Sequence, residues 1–98
     1  MHARAFNAIM THRTLPDFWK CYRNLPKEIQ ELARKNYQLL KVNLHHPSLQ
    51  PKKTGRNRHL WSVRVGEENR ASALNKPESV IWFWIGSHEE YNKLIRQL

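Results

Sequence analysis

The segment Ser79–Tyr91, SVIWFWIGSHEEY, constrains the fold of this chain more than any other stretch. Val80, Ile81, Trp82, Phe83, Trp84 and Ile85 form an unbroken apolar run. It is too short to span a membrane and too rich in β-branched and aromatic side chains to favour a helix. Such a run fits a central strand buried on both faces, with the rest of a sheet built around it. Gly86 ends the strand. Ser87 and Glu90 have the spacing of a capping box, in which the hydroxyl accepts from the N3 amide and the carboxylate accepts from the N-cap amide. A helix is therefore predicted from Ser87, with Tyr91, Leu94, Ile95 and Leu98 forming an apolar stripe. His88 falls in its first turn, where strand gives way to helix, a place suited to chemistry.

At 98 residues the chain has room for one domain and one core. An apolar share of 40% is modest, but four Trp, three Tyr and three Phe each bury a large area and compensate. Seventeen Lys and Arg outnumber eight Asp and Glu, for a formal net charge of +9. A field of that sign draws in polyanions, which puts nucleic acid ahead of a merely soluble basic protein as the reading of the charge. Cys21 is alone, so no disulfide framework exists, and residues 1–13 lack the apolar core and cleavage site of a signal peptide. A cytoplasmic protein with no membrane partner is expected. The six His show no zinc spacing, and His45-His46 beside Pro47 reads as loop polarity, so no metal or cofactor is expected.

Residues 1–10 carry no period and stay unassigned; residues 1–13 are expected to be extended or disordered, and Met10 could itself be a start. Thr14, Pro16 and Asp17 resemble a helix start, followed by Leu15, Phe18, Trp19, Tyr22 and Leu25 at helical spacing until Pro26. A second helix shows Ile29, Leu32, Ala33, Tyr37, Leu40 and Leu44 on one face and Lys27, Glu28, Glu31, Arg34, Lys35 and Lys41 on the other. The two make a helical hairpin in which Trp19, Tyr22 and Tyr37 are expected only to pack. From His45 to His59 two Pro, one Gly and the cations Lys52, Lys53, Arg56 and Arg58 break the pattern. This is a long basic loop, either an RNA-binding element or a solvated connection.

Leu60–Gly66 alternates, with Trp61, Val63 and Val65 on one face and Ser62 and Arg64 on the other. A further strand over Arg70–Leu74 completes three assigned strands, joined by the turn Gly66-Glu67-Glu68-Asn69. A two-residue loop would place Val65 opposite Arg70 and drive a guanidinium toward the core. An odd loop centred on Glu67 instead pairs Val63 with Ala71 and Arg64 with Arg70, and it wins on burial cost. It sets two exposed cations side by side, a repulsion that an anion between them would relieve. Two arginines, a histidine at a helix start, Tyr91 one turn later and a basic loop suit a phosphodiester. In RNA the 2′-hydroxyl is a built-in nucleophile; arginine stabilises the charge that grows on the phosphoryl oxygens. Histidine suits either proton transfer near neutrality. Tyr91 could move the other proton, stack on a base, or simply pack.

The order helix, helix, basic loop, WSVRVGEENRASAL and WFWIGSHEEYNKLI resembles the RelE/ParE toxin superfamily of bacterial type II toxin–antitoxin systems, in particular its RelE-like mRNA endonucleases, over about residues 14–97. Its marks are V-R-V-G with Arg64 and Arg70, and I-G-x-H-x-x-Y with Ile85, Gly86, His88 and Tyr91. The resemblance implies an α+β domain, a helical hairpin packed on a small, mainly antiparallel β-sheet with a short C-terminal helix. It implies metal-independent cleavage of mRNA on the ribosome and inhibition by a cognate antitoxin, with operator DNA contacted only through that antitoxin. Arg64 and Arg70 would hold the scissile phosphate, and His88 and Tyr91 would stand where the family places acid, base or stacking groups. A ParE-like, non-catalytic inhibitor of DNA gyrase and a plain nucleic-acid-binding module are the alternatives.

Overall fold

The computed structural model describes residues 11–42, 49, 52–53 and 59–97. Its elements are β1 (Thr11–Thr14), α1 (Pro16–Arg23), α2 (Lys27–Val42), β2 (Lys52–Lys53), β3 (Leu60–Val65), β4 (Asn69–Asn75), β5 (Ser79–Ser87) and α3 (His88–Gln97). The strands form one sheet in the order β1-β5-β4-β3-β2. Among the described residues only the β1–β5 pair is parallel, so the sheet is mixed but mainly antiparallel. The α+β architecture, the helical hairpin and the C-terminal helix expected from the sequence are all present.

The apolar run is indeed an inner strand, flanked by β1 and β4. A β-bulge in its pairing with β4 sets Ser72 opposite Trp84 and Ala73 opposite Trp82, leaving Phe83 as the extra residue. The bulge turns Val80, Trp82 and Ile85 to the same side despite their uneven spacing. There they join Val63, Val65, Ala71, Ala73, Leu40 and Leu49 in the core, covered by Phe18, Tyr22, Ile29 and Leu32 of the hairpin. Tyr22 and Gln30 tie the two helices together: the Tyr22 hydroxyl donates to the Gln30 carbonyl (3.2 Å), and Gln30 Nε2 donates to the Tyr22 carbonyl (3.0 Å).

Three expectations are corrected. Thr11–Thr14 is a strand, where the sequence suggested a helix start at Thr14 and only three strands in all. The N-cap of α1 is Leu15, and Thr14 Oγ1 instead accepts from Trp19 Nε1 at 2.9 Å. Trp19 and Tyr37 are not core residues but lie 41% and 38% exposed at the rim of the hairpin. The basic segment is not free of structure throughout: Lys52–Lys53 pairs with Ser62 and Trp61, and Leu49 is fully buried. Arg56 and Arg58 lie outside the described residues. The hairpin turn matches the odd loop, Val65 pairing with Asn69 around Gly66, Glu67 and Glu68. Gly66 has φ of +70°, a conformation that side chains with a Cβ rarely adopt.

Between hairpin and sheet lies a cavity of about 550 Å³. His12, Trp19, Tyr37 and Trp82 are among its lining residues. His12 Nδ1 accepts from Trp82 Nε1 at 3.2 Å, which requires the unprotonated nitrogen. Burial first, and Lys41 second, hold the His12 pKa below its ordinary 6.5. The unfolded chain then binds this proton more readily than the folded one, so His12 contributes stability above pH 6.5 that is lost as pH falls toward the lowered folded value. The melting temperature of the parent should fall more between pH 7.5 and 5 than that of His12→Gln, whose amide can still accept from Trp82. Equal falls in the two proteins would contradict this.

Candidate functional site

Arg64 pairs directly with Arg70, and Arg70 with Gly86 of β5. Directly paired residues point to the same side of a sheet, so both arginines share the face of Ser62, Ser72 and Trp84, turned away from the hairpin. That much agrees with the register argument. Exposure does not: the sequence reading left both cations on an open face, whereas Arg70 is 5% exposed and Tyr91 only 1%. The reason is α3, which lies across this face because its own apolar stripe needs cover. Ser87 caps it as expected: the Ser87 amide donates to Glu90 Oε1 (3.2 Å), and the Glu90 amide donates to Ser87 Oγ (3.1 Å). With Ser87 both the last residue of β5 and the cap of α3, strand passes into helix with no loop between them.

Under α3 the polar groups form a connected set. Arg70 Nε donates to Ser62 Oγ at 3.0 Å, and Ser62 Oγ donates to the Tyr91 hydroxyl at 3.1 Å. The Arg70 guanidinium lies 5.4 Å from the Tyr91 ring centroid and is also hydrogen-bonded to that side chain. Burial lowers the Arg70 pKa, the Tyr91 contacts oppose that shift, and the neighbouring charge of Arg64 adds to it. The guanidinium has margin enough to stay cationic near neutrality. Tyr91, with its ring packed near Trp84 and His88 (centroids 6.2 and 5.9 Å away), is not placed to stack on an incoming base. Its packing role, the alternative raised from the stripe with Leu94 and Ile95, is the one the geometry supports.

Arg64 is half-exposed and is held from three sides. Its Nε donates to the Gly66 carbonyl (2.9 Å), its carbonyl accepts from Asn36 Nδ2 (3.0 Å), and its amide donates to the Leu49 carbonyl. Asn36, 7% exposed, escapes the sequence reading although the signal was there: it falls on the apolar stripe between Leu32 and Leu40, where a polar residue needs a buried partner. Ser62 was legible as a member of the Arg64 face and was not singled out. His88 is exposed at the first position of α3, and its amide donates to the Glu68 carbonyl at 2.7 Å, tying the helix start to the β3–β4 turn. Glu67, Glu68, Glu89 and Glu90 surround this point in sequence and pairing, half of the eight acids of the chain. The positive field must therefore come from elsewhere on the molecule. β2, which carries Lys52 and Lys53, runs beside Ser62 at the edge of the same sheet.

A hairpin on one face of a mixed sheet and a capped terminal helix on the other is the architecture of small RelE/ParE-fold toxins. The model of the ParE-like toxin domain matches residues 27–93, more than half of the chain, and the chain belongs to that family. Among solved structures it is similar to the RelB-RelE antitoxin-toxin complex from Methanococcus jannaschii, with 15% identity, 84% of this chain and 96% of that chain covered, and a TM-score of 0.68. The YoeB dimer from Staphylococcus aureus gives 14%, 83%, 99% and 0.64 for the same quantities. The archaeal RelE-RelB complex from Pyrococcus horikoshii gives 14%, 81%, 94% and 0.62. At these identities the likeness is one of fold. No curated protein matches the chain in sequence.

Proposed function

We propose that this chain is the toxin of a type II toxin–antitoxin system and that it cleaves mRNA on the ribosome without a metal. The observation that carries this reading is the Arg64–Arg70 pair on one face, with His88 at the helix start that adjoins it. Removing the 2′-hydroxyl proton lets that oxygen attack the adjacent phosphorus, and the bond to the 5′-oxygen breaks as that oxygen is protonated. The products are a 2′,3′-cyclic phosphate and a 5′-hydroxyl. Arg64, the accessible cation, contacts the phosphoryl oxygens, and Arg70 adds positive charge from beneath, where low polarity strengthens its effect. His88 transfers one of the two protons. Lys52, Lys53, Arg56 and Arg58 add to the attraction for the RNA backbone.

An acidic antitoxin segment is the expected inhibitor. The Methanococcus jannaschii relative was solved as an antitoxin-toxin complex. On this chain the hairpin exposes Leu15, Trp19, Tyr37 and Val42, apolar surface such a segment would cover together with neighbouring cations. The site of action is then the cytoplasm. In a reconstituted translation reaction the purified chain should produce mRNA fragments with the ends named above; intact mRNA would refute the enzymatic reading. A second reading, a non-catalytic gyrase-directed toxin, is favoured by the burial of Arg70 and Tyr91 and by the carboxylates around His88.

A further inference from the structure

We propose that Ser62 is a positioning residue whose single buried hydroxyl fixes the Arg70 guanidinium and, through Tyr91, the first turn of α3 that carries His88; this rests on the endonuclease reading above. Ser62 has no exposed surface. A serine hydroxyl has one proton to give and lone pairs to accept with. Here the proton goes to the Tyr91 hydroxyl and a lone pair takes Arg70 Nε, so donor and acceptor are both in use at 3.1 and 3.0 Å. Tyr91 lies three residues beyond His88 on α3, with the two rings 5.9 Å apart. One oxygen on β3 thus sets two groups that come from β4 and α3. A flexible guanidinium next to a second cation would otherwise turn away from it, and an oriented charge is what transition-state stabilisation needs.

Ser72 provides the internal control. It pairs directly with Ser62, is also buried at 4% exposure, and its Oγ has no hydrogen-bond partner among the described residues. Removing that hydroxyl breaks nothing, whereas removing the Ser62 hydroxyl takes one hydrogen bond from each of two buried groups.

The test uses the full chain, the single variants Ser62→Ala, Ser62→Thr, Tyr91→Phe, Ser72→Ala and Arg70→Ala, and the double variant Arg70→Ala/Ser62→Ala, each confirmed folded by circular dichroism. Ser62→Ala should lose roughly tenfold or more in kcat for mRNA cleavage with KM little changed, and Ser62→Thr, which keeps the hydroxyl, should recover part of it. Tyr91→Phe, which keeps the ring, should lose activity in the same direction and covers the case that Ser62→Ala does not fold. Ser72→Ala should match the parent. In an Arg70→Ala background, Ser62→Ala should lower kcat by a smaller factor than it does in the parent, because the share carried by Arg70 is already gone and only the share carried through Tyr91 remains. The proton on Arg70 Nε, followed by NMR, should exchange slowly with water in the parent and faster in Ser62→Ala. Parental kcat in Ser62→Ala, unchanged exchange at Arg70, or a loss in the Arg70→Ala background as large as in the parent would each overturn the proposal. If the parent itself cleaves no mRNA, the endonuclease reading fails, and the exchange measurement alone decides whether Ser62 holds Arg70.

Discussion

Tyr91→Ala is expected to cost about 3–5 kcal/mol of folding stability, the range for deleting a fully buried large aromatic side chain. That would be a large share of the roughly 5–15 kcal/mol that holds a domain of this size together. The ring is only 1% exposed, packs near Trp84 and lies beneath the Arg70 guanidinium. Truncation therefore opens a cavity and strips a buried cation of its aromatic cover and a hydrogen bond. Urea denaturation should show the midpoint falling sharply, with the near-ultraviolet signal of the tryptophans altered. A midpoint within error of the parent would mean that α3 is not fastened to the sheet through this residue.

His88→Ala is expected to do the opposite, leaving the fold and removing activity. His88 is exposed, its amide bond to Glu68 survives any side chain, and Ser87 and Glu90 alone make the cap. The melting temperature should stay close to the parent. Loss of a positioned proton-transfer group costs about 10²- to 10⁴-fold in rate. Ribosome affinity should barely change, since His88 is not one of the 17 Lys and Arg that dominate the attraction. Parental cleavage rates in His88→Ala would remove His88 from the mechanism.

Local patterns made much of this architecture legible. The capping box at Ser87 and Glu90, the apolar run of β5 and the alternation of β3 each report on their own neighbourhood, and each reads correctly. The Arg64–Arg70 pairing was legible for a stronger reason: slipping the register by one residue would have buried a guanidinium among apolar groups, so burial cost selects the loop. What could not be read was which surface a distant element would cover. Nothing within Arg70–Leu74 reveals that α3 folds back over it, so Arg70 and Tyr91 looked accessible when they are buried. β1 failed for a related reason. Its four residues, Thr11, His12, Arg13 and Thr14, have no apolar alternation, and they form a strand because β5 offers a parallel edge to pair with. The bulge at Phe83 also hides in the sequence, since an unbroken apolar run shows no shift of face.

The central claim is that the accessible Arg64 and His88, with Arg70 beneath them, act on RNA. Inducing the chain in cells and following mRNA integrity and DNA integrity in the same culture tests it most directly. The account predicts that translation halts first, with messages cut and carrying 5′-hydroxyl ends, and that Arg64→Ala, whose fold should be intact, abolishes the cuts. Full-length messages together with gyrase-linked DNA breaks would contradict it and establish the non-catalytic reading instead.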